Sequence, residues 1–237
     1  MQCRIGVAAT VLLLALFLGI AWTVQTGSGF GAVDEQSSLM LQNLRTQSAL
    51  MRDIFVFITN LGSTRLLTWL AIGMAIVFFC LRKPWLSCTW LLMLILGFLS
   101  YGLIKDLYAR PRPPLHDPAI VESTFSFPSG HSFESLVAYG FLAYLLLPYL
   151  RRRSSRLLLF SGVALLVLAI GFSRIYLGAH YLSDVMGGYT AGGCWLMTCI
   201  AVLERVRQTR VKRLLPPKII EPVPGASEEH LIGMGGV

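Results

Sequence analysis

The chain has 237 residues, 55% of them apolar and 14% charged, where a soluble domain carries about 25% charged residues. Its charges fall in the gaps between long apolar runs, a pattern suited to a bilayer, which takes ~20 apolar residues per spanning helix, and not to a water-soluble core. The net charge of +8 does not point to nucleic acid, because the basic residues flank apolar segments and form no stripe on a soluble face.

In chain order, six apolar segments run near 5–24, 66–81, 85–104, 132–150, 157–173 and 185–203. The chain therefore reads as all-α, a six-span membrane bundle over residues 1–213. The first segment exceeds the ~7–15 apolar residues of a signal peptide and lacks a small-x-small cleavage site, so it is expected to be retained. Between the first two spans, Leu41, Leu44, Met51, Ile54, Phe55 and Ile58 recur at helical spacing among polar residues. One or two amphipathic helices are expected there, lying on the membrane surface or packed against the bundle. Cys3, Cys80, Cys88, Cys194 and Cys199 are odd in number, show no ligand spacing, and read as small packing residues. Residues 214–237 are rich in Pro and Gly without periodicity, which suggests a disordered tail.

Orientation follows from the basic residues. With both termini inside, cytoplasmic pieces hold 13 of the 20 Lys and Arg, and "RRRSSR" at 151–156 is the clearest anchor. Lys105, Arg110, Arg112 and Arg174 then fall in outer loops, on the side the rule disfavours. A bound anion would account for them.

Three segments meet on that side. Pro128-Ser129-Gly130-His131 opens the fourth span, where unpaired first-turn amides and the helix dipole attract anions. Ser129 is placed to cap, and Gly130 lets an anion approach the backbone. In "SRIYLGAHYLSD", His180 and Asp184 are four apart, hence on one helix face, where the carboxylate can fix the imidazole tautomer and free the other ring nitrogen as a nucleophile. Arg174 precedes them, with Gly178 permitting a bend between, and its fork suits paired phosphate oxygens. In "KDLYARPRPP", Lys105 ends the third span, Arg112 is stiffened by two prolines, and Arg110 is expected at the headgroups. Each segment alone also fits a plainer reading: a helix cap, a structural His–Asp pair, a snorkelling lysine. Their convergence on one face argues for an anion site with acid–base equipment.

Lys-x6-Arg-Pro (Lys105, Arg112, Pro113), Pro-Ser-Gly-His (128–131) and Ser-Arg-x5-His-x3-Asp (Ser173, Arg174, His180, Asp184) stand in order and without departure. Together they resemble the signature of the type 2 phosphatidic acid phosphatase superfamily. The resemblance implies His180 as nucleophile forming a phosphohistidine, Asp184 as its orienting partner, and His131 as general acid and then base. It further implies Lys105, Arg112, Arg174, Ser129 and Gly130 as phosphate ligands, with no cofactor and no metal. The implied activity is hydrolysis of a lipid phosphate or diphosphate in a bacterial plasma membrane, at a site facing outside. By analogy, undecaprenyl diphosphate ranks first, followed by phosphatidylglycerol phosphate or phosphatidic acid, then lipid A phosphates. A lipid phosphotransferase using the same intermediate and a non-catalytic lipid-binding or transporter-like bundle are the rivals. No partner beyond the lipid and the bilayer is implied.

Overall fold

In the computed structural model, residues 2–114, 117, 120 and 122–214 are described, with side chains over 6–209. Among the described residues every regular element is a helix: α1 (Gln2–Thr26), α2 (Phe30–Gln47), α3 (Ala49–Leu61), α4 (Thr64–Cys80), α5 (Pro84–Tyr108), α6 (Gly130–Leu146), α7 (Arg153–Tyr176) and α8 (Leu182–Leu214). The expected tail lies beyond them but for Leu214.

Local chemistry explains the breaks. Ser48 and Ser63 cap α3 and α4 by accepting the amides of Met51 and Leu66, the usual work of an N-cap hydroxyl. Pro84 opens α5, where its missing N–H costs nothing. Pro148 ends α6 in a single 3-10 turn, Leu147–Tyr149, because a proline cannot continue the ladder.

Each of the six apolar segments is helical, but they are unequal. Stretches of α1, α5, α7 and α8 are long and apolar enough to cross a membrane, and α3 with α4 passes the same test as one span bent by 41°. At 17 residues each, α4 and α6 are only about 25 Å long at 1.5 Å per residue, short of a ~30 Å hydrocarbon core. The mixed region 25–65 folds into two helices, α2 and α3, both packed on α7.

The bundle centres on α6 and α8, which pack extensively on each other, with α8 also against α1. Gly188 makes the crossing close: a Cβ there would lie 2.6 Å from the carbonyl oxygen of Ser129 and 2.8 Å from Cβ of Ser132. Trp90 on α5 is fully buried, stacks on Phe141 of α6 and donates its indole N–H to the Ala71 carbonyl of α4 at 2.9 Å. By contrast Val11, Leu12, Trp22, Leu103, Leu158 and Leu165 point outward, as lipid-facing side chains must. The chain is an integral membrane protein. The tight α6–α8 contact places the start of α6 beside the start of α8, and there the polar residues gather.

Candidate active site

Helix α7 ends in a turn that presents His180. Gly178 takes φ +70°, the left-handed conformation that closes helices cheaply only at glycine. The Arg174 carbonyl then accepts the amides of Ala179 at 2.9 Å and His180 at 3.3 Å, folding the chain back on itself. His180 therefore precedes α8 and does not share a helical face with Asp184, as the spacing had suggested. The two meet because Asp184, third residue of α8, turns its carboxylate back over the helix start. Its Oδ2 accepts the Tyr181 amide at 2.9 Å, one half of a capping box, and lies 3.5 Å from His180 Nδ1. Ser126 joins them: its hydroxyl donates to Asp184 Oδ2 and lies 3.4 Å from His180 Nδ1.

On the ring's far side, Arg112 Nη1 is 3.3 Å from His180 Nε2. A guanidinium can only donate, so Nε2 offers its lone pair and Nδ1 carries the proton, facing Ser126 and Asp184. Burial, and then the positive charges of Arg174, Arg112 and Lys105, hold the His180 pKa well below its ordinary 6.5. At pH 7 the ring is neutral, with Nε2 among the cations.

Those cations are fixed by residues that no motif announced. Lys105, nearly buried in the last turn of α5, donates to Thr124 Oγ1 at 3.0 Å. Arg112 donates to the carbonyls of Thr124 (2.7 Å), Ala179 (2.9 Å) and Phe125 (3.2 Å). Arg174, 1% exposed, donates to Thr59 Oγ1 of α3 at 3.0 Å, while its Nε has no partner. Glu122 spans two of the three, bonded to Arg174 Nη2 and 3.4 Å from Arg112 Nη2.

The Pro-Ser-Gly-His segment departs from expectation in two respects. Ser129 is the N-cap residue of α6 but makes no capping bond; its hydroxyl accepts from Ser132 at 3.2 Å, and its amide donates to the Asp184 carbonyl at 2.9 Å. That amide is spent joining α6 to α8, so only the amides that follow remain for an anion. Gly130 abuts Tyr101, where a Cβ would lie 3.1 Å from the ring, so close packing also favours a glycine there. His131 lines a polar cavity of about 610 Å³ together with Arg174, Glu122, Thr59, Asn60 and Arg65. His180, 2% exposed, does not belong to that lining.

Arg110 corrects the sequence reading outright. It does not face headgroups; its guanidinium bridges Asp184 Oδ1 at 2.6 Å and Asp34 Oδ2 of α2 at 2.9 Å. Asp34, Glu122, Thr124, Ser126 and Thr59 went unseen because single polar residues carry no spacing signal. Only the fold brings them to the motifs. Among the described residues, no three His, Cys, Asp or Glu side chains converge as a metal site.

A PAP2 superfamily model matches residues 86–208, just over half of the chain and every motif position named above. The chain belongs to the PAP2 superfamily. Phosphatidylglycerophosphatase B of Bacillus subtilis is 32% identical over 165 residues, 68% of this chain and 80% of the relative. A lipid A 4'-phosphatase of Porphyromonas gingivalis is 28% identical over 142 residues, 53% of this chain and 56% of that protein. Among solved structures, the transmembrane PAP2-type phosphatidylglycerolphosphate phosphatase of Bacillus subtilis superposes with a TM-score of 0.76 at 28% identity, covering 83% of this chain and 96% of the other. As a PAP2 membrane protein with phosphatase relatives, the chain is a lipid phosphatase.

Proposed function

We propose that this PAP2 phosphatase hydrolyses a phosphomonoester or diphosphate on a lipid headgroup through a phosphohistidine at His180. The observation that carries the reading is the orientation of one ring: Nδ1 toward Asp184 and Ser126, and Nε2 without a proton, its lone pair on Arg112 with Arg174 and Lys105 nearby. In this reading Nε2 attacks phosphorus as the bond to the leaving oxygen breaks. His131, whose pKa burial and then the charges of Arg174 and its neighbours lower in the free enzyme, must take up a proton beside the bound phosphoryl dianion. It gives that proton to the leaving oxygen, then takes one from the water that cleaves the N–P bond, restoring the ring. Arg112, Arg174 and Lys105, with amides at the start of α6, stabilise charge on the transferring group, where losing one well-placed donor costs about 2.7–4 kcal/mol.

Two cavities supporting a lipid substrate diverge at the start of α4. The polar one reaches His131. The other, about 360 Å³, is apolar and runs between α4, α5 and α6, past Leu67, Leu94, Phe98 and Val137, with Glu134 at its polar end. Glu134, one turn beyond His131, accepts from Thr64 at 3.0 Å. An amphipathic substrate fits such a pair, tail in one and headgroup in the other.

The named activity of the Bacillus relatives moves phosphatidylglycerol phosphate to first choice. Undecaprenyl diphosphate, first by sequence analogy, and phosphatidic acid follow. The bias of basic residues supports cytoplasmic termini and a site facing outside, in a six-span reading where the short α4 and α6 also cross; the Bacillus relatives support a bacterial plasma membrane.

The test is phosphate release by detergent-purified protein from these three lipids with EDTA present, beside a His180→Ala control. Release that vanishes in the control is expected, with radiolabel trapped on His180 at short times. Phosphate appearing only when an acceptor lipid is supplied would replace hydrolysis with phosphotransfer. Release that survives His180→Ala would remove the proposed nucleophile.

A further inference from the structure

Asp184 has two oxygens and the structure divides them. Oδ2 serves the Tyr181 amide, Ser126 and His180. Oδ1 is held by Arg110 Nη1 at 2.6 Å. Arg110 reaches this point from the loop after α5, its guanidinium carbon 4.4 Å from the centre of the Tyr181 ring. Its Nη1 also donates to Ser183 Oγ at 2.7 Å, and Nη2 donates to Asp34 at 2.9 Å. Asp34, 2% exposed on α2, accepts in turn from the Ser183 amide at 3.0 Å and from the Ser183 hydroxyl. Asp34 lies well before the matched residues 86–208, and Arg110 belongs to none of the three motifs.

We infer that Arg110, anchored by Asp34, is a positioning residue that keeps Asp184 ionised and turned toward His180. A fully buried carboxylate is costly to ionise without a close, well-bonded counter-ion. His180 cannot serve, because its ring must be neutral to attack. Arg110 supplies the charge from the opposite side and, by gripping Oδ1, leaves Oδ2 for the imidazole.

The charge count favours a kinetic role over a simple fastening of α2 to α8. Burial raises the Asp184 pKa and the Arg110 charge draws it back down; with both carboxylates ionised, Asp34, Arg110 and Asp184 together carry one surplus negative charge. When Nε2 bonds to phosphorus, the imidazole ring gains one positive charge, with Nδ1–H still facing Asp184. The surplus then finds its complement at the step where it is needed. This inference rests on the phosphohistidine reading.

A double-mutant cycle tests it. Kinetic constants are measured on phosphatidic acid for Arg110→Gln, Asp184→Asn and the double variant, with thermal unfolding of each in detergent. Arg110→Gln is expected to lower kcat by about tenfold or more, with KM changed less than about threefold. In the Asp184→Asn background the same change is expected to cost less than about threefold, since coupled residues do not add. Arg110→Lys should recover part of kcat, and Asp34→Asn, which keeps the shape, should lose about three- to tenfold. If Arg110→Gln does not fold, Arg110→Lys and Asp34→Asn carry the cycle with Asp184→Asn.

Equal losses in both backgrounds, or losses that follow the unfolding temperature alone, would overturn the role. A rise in KM at constant kcat would also overturn it and make Arg110 a substrate ligand. Wild-type protein inert toward every phosphate ester would sink the functional reading and this inference with it. An additive cycle in active protein would sink only the inference.

Discussion

In the proposed mechanism Glu122 occupies ground that the phosphate needs. Its carboxylate is bonded to Arg174 and lies 3.4 Å from Arg112, and it lines the cavity that reaches His131. An incoming phosphoryl group must draw on the same guanidinium donors, so carboxylate and phosphate compete. Glu122→Gln keeps the shape and removes the charge. A hydrogen bond involving a charged group contributes about 1.5–3 kcal/mol. The Glu122 side chain is 24% exposed and its Arg112 contact is long, so the lower end applies. About 1.5 kcal/mol corresponds to roughly tenfold in affinity. The free enzyme would also lose a counter-ion for the buried Arg174, which pushes binding in the same direction. The assay is the inhibition constant of inorganic phosphate and of vanadate against phosphatidic acid hydrolysis, expected to fall about tenfold in the variant. An unchanged or higher constant in folded protein would refute the competition and make Glu122 a brace for the two arginines.

Three further outcomes are expected. Gly188→Ala places a methyl group against Ser129 and Ser132, and overpacking of this kind costs about 1–3 kcal/mol; its unfolding midpoint in detergent should fall together with activity, and a wild-type midpoint would contradict the close crossing. As the proposed nucleophile His180 must be neutral, and burial among cations lowers its pKa. The acidic limb of kcat/KM, which reports the free enzyme, should therefore lie below about pH 6.5. A limb above that value would count against the assignment. Ser126→Ala strips one donor from a buried carboxylate, a loss of about 1–3 kcal/mol, and should lower kcat about tenfold while KM stays near the wild-type value; a change confined to KM would place Ser126 on the substrate instead.

Much of this protein is settled by the order of its residues. Runs of about twenty apolar residues cannot remain in water, so the helices and their membrane setting follow from composition. In the proposed mechanism three short motifs carry the chemistry, each legible because it is local: a proline-stiffened arginine, a Pro-Ser-Gly-His helix start, and a histidine four residues before an aspartate. The partners of those motifs are not local. Asp34 is 150 residues from Asp184, and Thr59 is 115 from Arg174. No periodicity links them, and a lone buried Asp or Thr looks like any other polar residue in the chain. Arg110 illustrates the difference. Beside Arg112 in a basic loop it reads as a headgroup contact, and only the docking of α2 against α8 gives it two carboxylates to bridge. The ring orientation of His180 has the same origin: Asp184 reaches it by folding back over a helix start, with Ser126 alongside, and not through the helical face that the spacing suggested.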